Sequence, residues 1–213
     1  QWGEKFITFL NLRPSQTLAL SFLGLIGVCS LLLTFPAATV NGKGAQFIDA
    51  LFTMTAASCV AGLSVLNIGA EFTHFGQGVI LLGIQAGGLG IMVLSAAFTL
   101  LVGGKISLRK QAGLSQVLNV STPDGFRSLL RSVTLTTLTI EFFGAFSLFL
   151  LCAEEIPKVG TRLWWSIFHS VSAFCNCGLG LLSDSLMTFI DRPMVCMVFL
   201  ILIITGEIGR AHV

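Results

Sequence analysis

Charge is what this sequence lacks most. Lys, Arg, Asp and Glu make up only 10% of its 213 residues, against 54% hydrophobic types. A soluble domain carries about 25% charged residues. So little charge cannot coat a globule with water-facing side chains, and lipid is expected to face much of the surface. The net charge of +2 says little, because position matters more than the sum. Paired metal-site cysteines are also lacking. Cys175 and Cys177 form a lone C-x-C, and four further cysteines, Cys29, Cys59, Cys152 and Cys196, lie in or beside apolar runs, where cysteine behaves as a small hydrophobe. A disulfide framework, a bound metal beyond a transported alkali cation, an organic cofactor and a nucleic-acid partner are therefore not expected. No cleavable signal peptide is expected either. The first apolar run is too long for a signal h-region and lacks a small-residue cleavage site.

What the sequence does have is long apolar runs. The first covers residues 16–40, with a clean core at 18–35 closed by Pro36. The second covers 72–104 without a single charged residue, the third 133–152 with Glu141 inside it, and the fourth 194–205. Between them lie two weaker stretches, 47–66 and 163–182. Each begins as a short helix, over Phe47–Ser58 and over 164–174, and then breaks at glycine. A dozen helical residues reach roughly 18 Å, about half a membrane. A half-span helix with a glycine-rich return is the pattern of a re-entrant loop.

Charge placement sets an expected orientation. The connection between the second and third runs carries Lys105, Arg109, Lys110, Arg127 and Arg131 against one acid, Asp124. Lys5 and Arg13 precede the first run. By the positive-inside rule both segments, and so the N-terminus, are cytoplasmic. Residues 106–130 are expected either to lie along the inner surface or to form a solvated linker, split by the turn Ser121-Thr-Pro-Asp-Gly125.

The two weaker stretches repeat one another. At an offset of 116, Phe52 meets Phe168, Ala57 meets Ala173, Cys59 meets Cys175, Gly62 meets Gly178 and Leu63 meets Leu179. After a further three-residue shift, Ala86-Gly-Gly-Leu-Gly90 resembles Thr205-Gly-Glu-Ile-Gly209. Membrane repeats of this kind build a pathway at their interface. A half-helix entering from outside points its negative C-terminal end and its unpaired carbonyls at the membrane centre. The segments Cys59-Val-Ala-Gly62 and Cys175-Asn-Cys-Gly178 then offer backbone carbonyls that can replace the water of a cation. No ring of acids or bases lines them, which favours a monovalent, weakly hydrated ion. Gly87, Gly88 and Gly90 are read as close-packing residues, with a hinge or gate as the sharper alternative. Glu141, mid-span, is either functional or a hydrogen-bonded packing residue. His169 is expected to be structural and His74 interfacial.

The segments Phe47-Ile-Asp-Ala-Leu-Phe52, Gly62-Leu-Ser-Val65, Phe72-Thr-His-Phe-Gly-Gln77, Ile84-Gln-Ala-Gly-Gly-Leu-Gly-Ile-Met92 and Lys105-Ile-Ser-Leu-Arg109 resemble the Trk/Ktr/HKT potassium transporter family. Phe168-His-Ser-Val-Ser-Ala-Phe-Cys-Asn176 and Ser183-Asp-Ser-Leu186 agree. The short N-terminal lead is closer to the KtrB-like bacterial branch than to the TrkH-like one. The resemblance implies an all-α membrane protein with repeated M1–re-entrant pore helix–M2 units, four in the family and two here. It implies potassium uptake across the cell membrane, often with sodium as coupling or activating ion, and no enzymatic activity. It also implies a homodimer of the full-length protein on a cytosolic nucleotide-binding regulatory ring of the KtrA/TrkA type. The selectivity-filter glycines carry over onto Gly62 and Gly178. The carbonyl-bearing positions carry over onto Val60, Ala61, Asn176 and Cys177, with Cys59 and Cys175 at the inner end. Ala61 stands where the family commonly has Thr, and Cys177-Gly-Leu179 replaces a more usual Ala-Gly-Phe.

On this reading residues 1–112 form a first unit and 113–206 a second, truncated in its last helix. The tail 207–213 is expected to be non-native, because it back-translates to a common sequencing-adapter sequence and departs from the Gly-Gly-x-Gly-Phe pattern. Two alternatives stay open: a two-unit cation channel subunit that dimerises, and a membrane redox or metal protein using His169, Cys175 and Cys177.

Overall fold

The computed structural model describes residues 14–89, 123–183 and 186–211. Gly90, Lys5, Arg13, Lys105, Arg109, Lys110 and the connection up to residue 122 lie outside the described residues. Helix α1 is Pro14–Leu33, α2 is Phe47–Ser58, and α3 is the four-residue Ile68–Glu71. They are followed by α4, His74–Gly88, by α5, Pro123–Leu151, by α6, Val159–Phe174, and by α7, Pro193–Ala211.

Local chemistry explains most boundaries. Pro14, Pro123 and Pro193 each stand at a helix start, where the missing N–H costs nothing and φ is already helical. Pro123 begins α5 inside the segment expected to be a turn, so the helix takes in residues 123–130 of that connection. Pro36 helps end α1 and opens a single 3-10 turn, Pro36–Ala38. The Thr73 side chain caps α4 by accepting from the Gly76 N–H, and the Asn67 side chain caps α3 by accepting from Ala70. Helix α6 starts at Val159, five residues ahead of the expected Trp164, so it is 16 residues long rather than 11.

The packing has two centres. α1 and α4 flank α2, and α5 and α7 flank α6. Leu33, Met54, Phe72, Ile80 and Ile84 anchor the first core, which also takes in Phe168, Val171 and Cys175 of the second half. Leu148, Trp165, Phe189, Val195 and Leu202 anchor the second. Phe174 and Leu181 pack against both, so α6 and the strand after it join the halves. At the junction the Trp164 indole N–H donates to Oε1 of Gln77 (2.6 Å), whose amide nitrogen donates to the carbonyls of Phe72 and Ile68.

The outer faces are strongly apolar. Leu23, Val28 and Leu31 of α1, Phe142, Phe143 and Phe146 of α5, and Met194, Leu200 and Ile201 of α7 all stand exposed. Patches of this extent demand a non-aqueous covering. Among the described residues one helical stretch, Arg131–Leu151, is long and apolar enough to cross a bilayer; Ala19–Leu33, Phe47–Ser58 and Pro193–Ile208 are apolar but shorter.

Candidate functional site

The two short central helices, α2 and α6, end in the same way. At α2 the Cys59 N–H donates to Thr55 O (2.8 Å), Val60 N–H to Ala57 O (3.4 Å) and Ala61 N–H to Ala56 O (2.8 Å). At α6 the Cys175 N–H donates to Val171 O (2.9 Å), Asn176 N–H to Ala173 O (3.0 Å) and Cys177 N–H to Ser172 O (2.9 Å). Every donor and every acceptor matches at the offset of 116. The last two bonds of each set form a Schellman motif, which requires a left-handed residue just past the cap. Those residues are Val60 (φ 57°) and Asn176 (φ 56°), and among the described residues no other non-glycine has positive φ. Two residues on, Gly62 and Gly178 are left-handed again, at φ 70° and 75°. Sign alternation therefore runs through both segments.

This geometry changes what the helix ends offer. The carbonyls of Ala56, Ala57, Ser172 and Ala173, expected to be free, are engaged by the Schellman bonds. Among the described residues, no hydrogen bond is directed at the carbonyls of Val60, Ala61, Gly62, Asn176, Cys177 or Gly178. Free acceptors thus begin past the caps. The conformation of Val60 is costly: a left-handed L-residue loses about 1–2 kcal/mol, and a β-branched one is an outlier. Val60→Asn, which copies the second segment, is expected to raise stability by about 1 kcal/mol, read as a higher thermal midpoint of the detergent-purified protein. A lower midpoint would mean that the valine side chain contributes more than its backbone costs.

The two segments lie against one another. A Cβ on Gly62 would overlap the carbonyl oxygen of Cys177. The Cys177 thiol reaches back across the junction to Ala57 O (3.7 Å) and lies against the backbone of Gly62 and Leu179. Cys175 and Cys177 are buried, whereas the matched Cys59 and Ala61 are exposed, so the repeat is one of backbone and not of environment. Among the expected filter residues, Val60, Gly62 and Asn176 are half-buried and Gly178 is exposed.

His169 holds the second segment from behind. Its Nδ1 faces Trp165 O (2.9 Å), its Nε2 accepts from the Leu181 N–H (3.3 Å), and its ring stacks on Trp165 at 4.1 Å. Both ring nitrogens are committed, which fits a structural role. His169→Leu would leave the Leu181 backbone N–H without its acceptor. A loss of about 1–3 kcal/mol is expected, checked by thermal unfolding against His169→Gln. The Ser172 hydroxyl adds a bond to Leu179 O (2.6 Å), and the Asn176 amide donates to Ile203 O (3.3 Å) and to the Glu207 carboxylate (2.9 Å). A cavity of about 150 Å³ lies there, lined by His169, Ser172, Asn176, Gly178, Phe199 and Ile203 among others. Among the described residues no group of three or more His, Cys, Asp or Glu side chains is placed to hold a metal ion.

The helix glycines meet the same ends. A Cβ on Gly87 would overlap the main-chain oxygen of Ser58, and one on Gly206 that of Phe174. Ser58 and Phe174 are themselves 116 apart, while Gly87 and Gly206 are 119 apart, which is the three-residue shift seen in the sequence. Gly88 lies instead against the side chain of Cys175.

Apolar outer faces around a helical framework fit a membrane protein. A family model described as "TrkH: Cation transport protein" matches residues 11–210, and the chain belongs to that family of cation transport proteins, which are transporters rather than enzymes. The chain is 37% identical over 208 residues to Ktr system potassium uptake protein B of Bacillus subtilis, covering 97% of this chain and 46% of that protein. It is 38% identical over 201 residues to potassium/sodium uptake protein NtpJ of Enterococcus hirae, covering 93% and 44%. Ktr system potassium uptake protein B of Vibrio alginolyticus is 37% identical over 196 residues, covering 91% and 42%. The chain thus spans less than half the length of these relatives.

Proposed function

We propose that this chain supplies two walls of a potassium pathway, each an M1–pore helix–M2 unit: α1, α2 and α4 in residues 1–112, and α5, α6 and α7 up to residue 206 in 113–206. The carrying observation is the paired left-handed pattern, positive φ at Val60 and Gly62 and again at Asn176 and Gly178. Backbone whose φ alternates in sign turns successive carbonyls toward one side. A row of such carbonyls can replace the hydration shell of a monovalent cation. On this reading Cys59, Val60, Ala61 and Gly62 line one wall of the ion path and Cys175, Asn176, Cys177 and Gly178 the neighbouring wall, and the changes at Ala61 and Cys177 leave carbonyl coordination intact.

The rest of the assembly is proposed by likeness to the family. Two further walls come from the length that the relatives have and this chain does not span. Sodium is proposed as coupling or activating ion, in keeping with the name of the Enterococcus relative, a potassium/sodium uptake protein. The working form is a homodimer of the full-length protein in the cell membrane, with a cytosolic N-terminus and a nucleotide-binding regulatory ring on the cytosolic side. The test is complementation of a strain that lacks potassium uptake by the complete open reading frame carrying this sequence. Growth at micromolar potassium is expected, and lost when Gly62 or Gly178 is changed to Ser. Unchanged uptake affinity and selectivity in both variants would sink the filter assignment.

A further inference from the structure

Glu141 is a carboxyl in the middle of an apolar helix, and the pathway described above makes no use of it. It is only 5% exposed, while its neighbours Phe142 and Phe143 face outward. A carboxyl held at membrane depth is costly and needs partners. Glu141 has three. Its Oε2 accepts from the Gln85 amide nitrogen (3.3 Å), its Oε1 lies 4.0 Å from the Cys175 thiol, and its main-chain oxygen accepts from the Ser170 hydroxyl (2.7 Å).

These partners belong to two helices, so that with Glu141 on α5 three helices meet here. Gln85 stands in the last turn of α4, two residues before Gly87. Ser170 is in α6, and Cys175 is the residue that caps α6, directly before the left-handed Asn176. Cys175 therefore sits in a slot with Gly88 on one side, where a Cβ would overlap its sulfur, and the Glu141 carboxyl on another. We propose that Glu141, held by Gln85, is a positioning residue that fixes where the second carbonyl segment begins and thereby sharpens discrimination between potassium and sodium.

The bracket is absent from the first half. Glu141 corresponds to Leu25 at the offset of 116, and Gln85 to Ile204 at the 119 that relates the inner helices; neither can form it. Cys59, the counterpart of Cys175, is exposed. The bracket therefore distinguishes one wall from the other. Its chemistry is hydrogen bonding rather than ion pairing: among the described residues the ion pairs are those of Arg192 with Glu154 and Glu155, and neither includes Glu141. An amide oxygen can accept from Gln85 as a carboxylate does, whereas a Leu side chain of similar size cannot.

This proposal rests on the filter reading, and the test separates the two. Uptake of potassium, rubidium and sodium is measured in the complete open reading frame, at equal membrane abundance, for Glu141→Leu, Gln85→Leu, both together, Glu141→Gln, Gly62→Ser and Gly178→Ser. Glu141→Leu and Gln85→Leu are each expected to lower potassium-over-sodium discrimination about tenfold, the double no further than the worse single, and Glu141→Gln less than about twofold. An unchanged ratio in Glu141→Leu, or an equal fall in the uptake of all three cations, would overturn the positioning role. So would a Glu141→Gln variant as damaged as Glu141→Leu. If Glu141→Leu fails to reach the membrane, Gln85→Leu carries the same test. Intact discrimination in both Gly178→Ser and Gly62→Ser would fail the filter reading itself, whereas loss in either beside a normal Glu141→Leu would remove only this proposal.

Discussion

Gly62→Ser, made in the complete open reading frame, is expected to cost about 30- to 100-fold in potassium affinity relative to sodium. Two effects add. At φ 70° any L side chain is strained, by about 1–2 kcal/mol. The new Cβ would also overlap the carbonyl oxygen of Cys177, which is main chain and cannot rotate aside as a side chain could. That carbonyl is one of the proposed ion ligands, so the substitution moves a coordinating atom as well as its own backbone. About 2–3 kcal/mol of lost discrimination corresponds to the stated range. The measurement is competition between potassium and sodium in uptake by cells without other uptake systems, normalised to membrane abundance. Gly178→Ser gives a second reading. It shares the strain, at φ 75°, but the nearest atom to its Cβ is the Gly62 Cα at 4.0 Å. A smaller loss at 178 than at 62 indicates an open flank there. An equal loss indicates another carbonyl segment beside Gly178, as a ring of four walls demands.

The half-helices and their glycines were legible in the sequence because length and punctuation encode them. Phe47–Ser58 is apolar for twelve residues and then loses its periodicity, and the structure ends α2 at Ser58. The manner of ending was less legible. Both helices end where expected, at Ser58 and Phe174, but the chain is turned at left-handed Val60 and Asn176, two residues ahead of the glycines. Asn176 carries a signal, since asparagine tolerates that conformation. Val60 carries the opposite one, and only the surrounding structure holds it there.

Other features depend on contacts that no local pattern records. The pairing of Glu141 with Gln85 joins residues 56 apart, and the engagement of Ala56 and Ser172 carbonyls follows from the cap and not from their own side chains. Phe52 and Phe168 are an identity in the repeat, but Phe168 is fully buried while Phe52 is 44% exposed. Register was readable from sequence; environment was set by which half each segment packs against. The early start of α5 has a simpler cause. Pro-Asp-Gly reads as a turn in isolation, but proline at the first helical position serves equally well when an apolar helix follows.

The helix glycines give the second large prediction, and it decides between packing and motion. Gly87→Ala would set a methyl group against the main-chain oxygen of Ser58, and Gly206→Ala one against that of Phe174. Each inner helix, α4 or α7, would have to back away from the end of its short helix. Overpacking of this kind costs about 1–3 kcal/mol, or roughly 2–10 °C in thermal midpoint for a chain of this size. Both variants are expected to lose stability by similar amounts, measured on the detergent-purified full-length protein. A hinge would respond differently: Gly87→Ala would then change the rate of uptake while the midpoint stayed put, because a moving glycine needs backbone freedom and not a close contact. The comparison of the two sites also tests the register. Gly87 and Gly206 are matched only after the three-residue shift, whereas Ser58 and Phe174 are matched without it. Equal losses mean that each inner helix slides by nearly one turn relative to its short helix between the two halves, yet returns a glycine to the same carbonyl. The contact itself, rather than the spacing of residues along the chain, is then what the fold preserves.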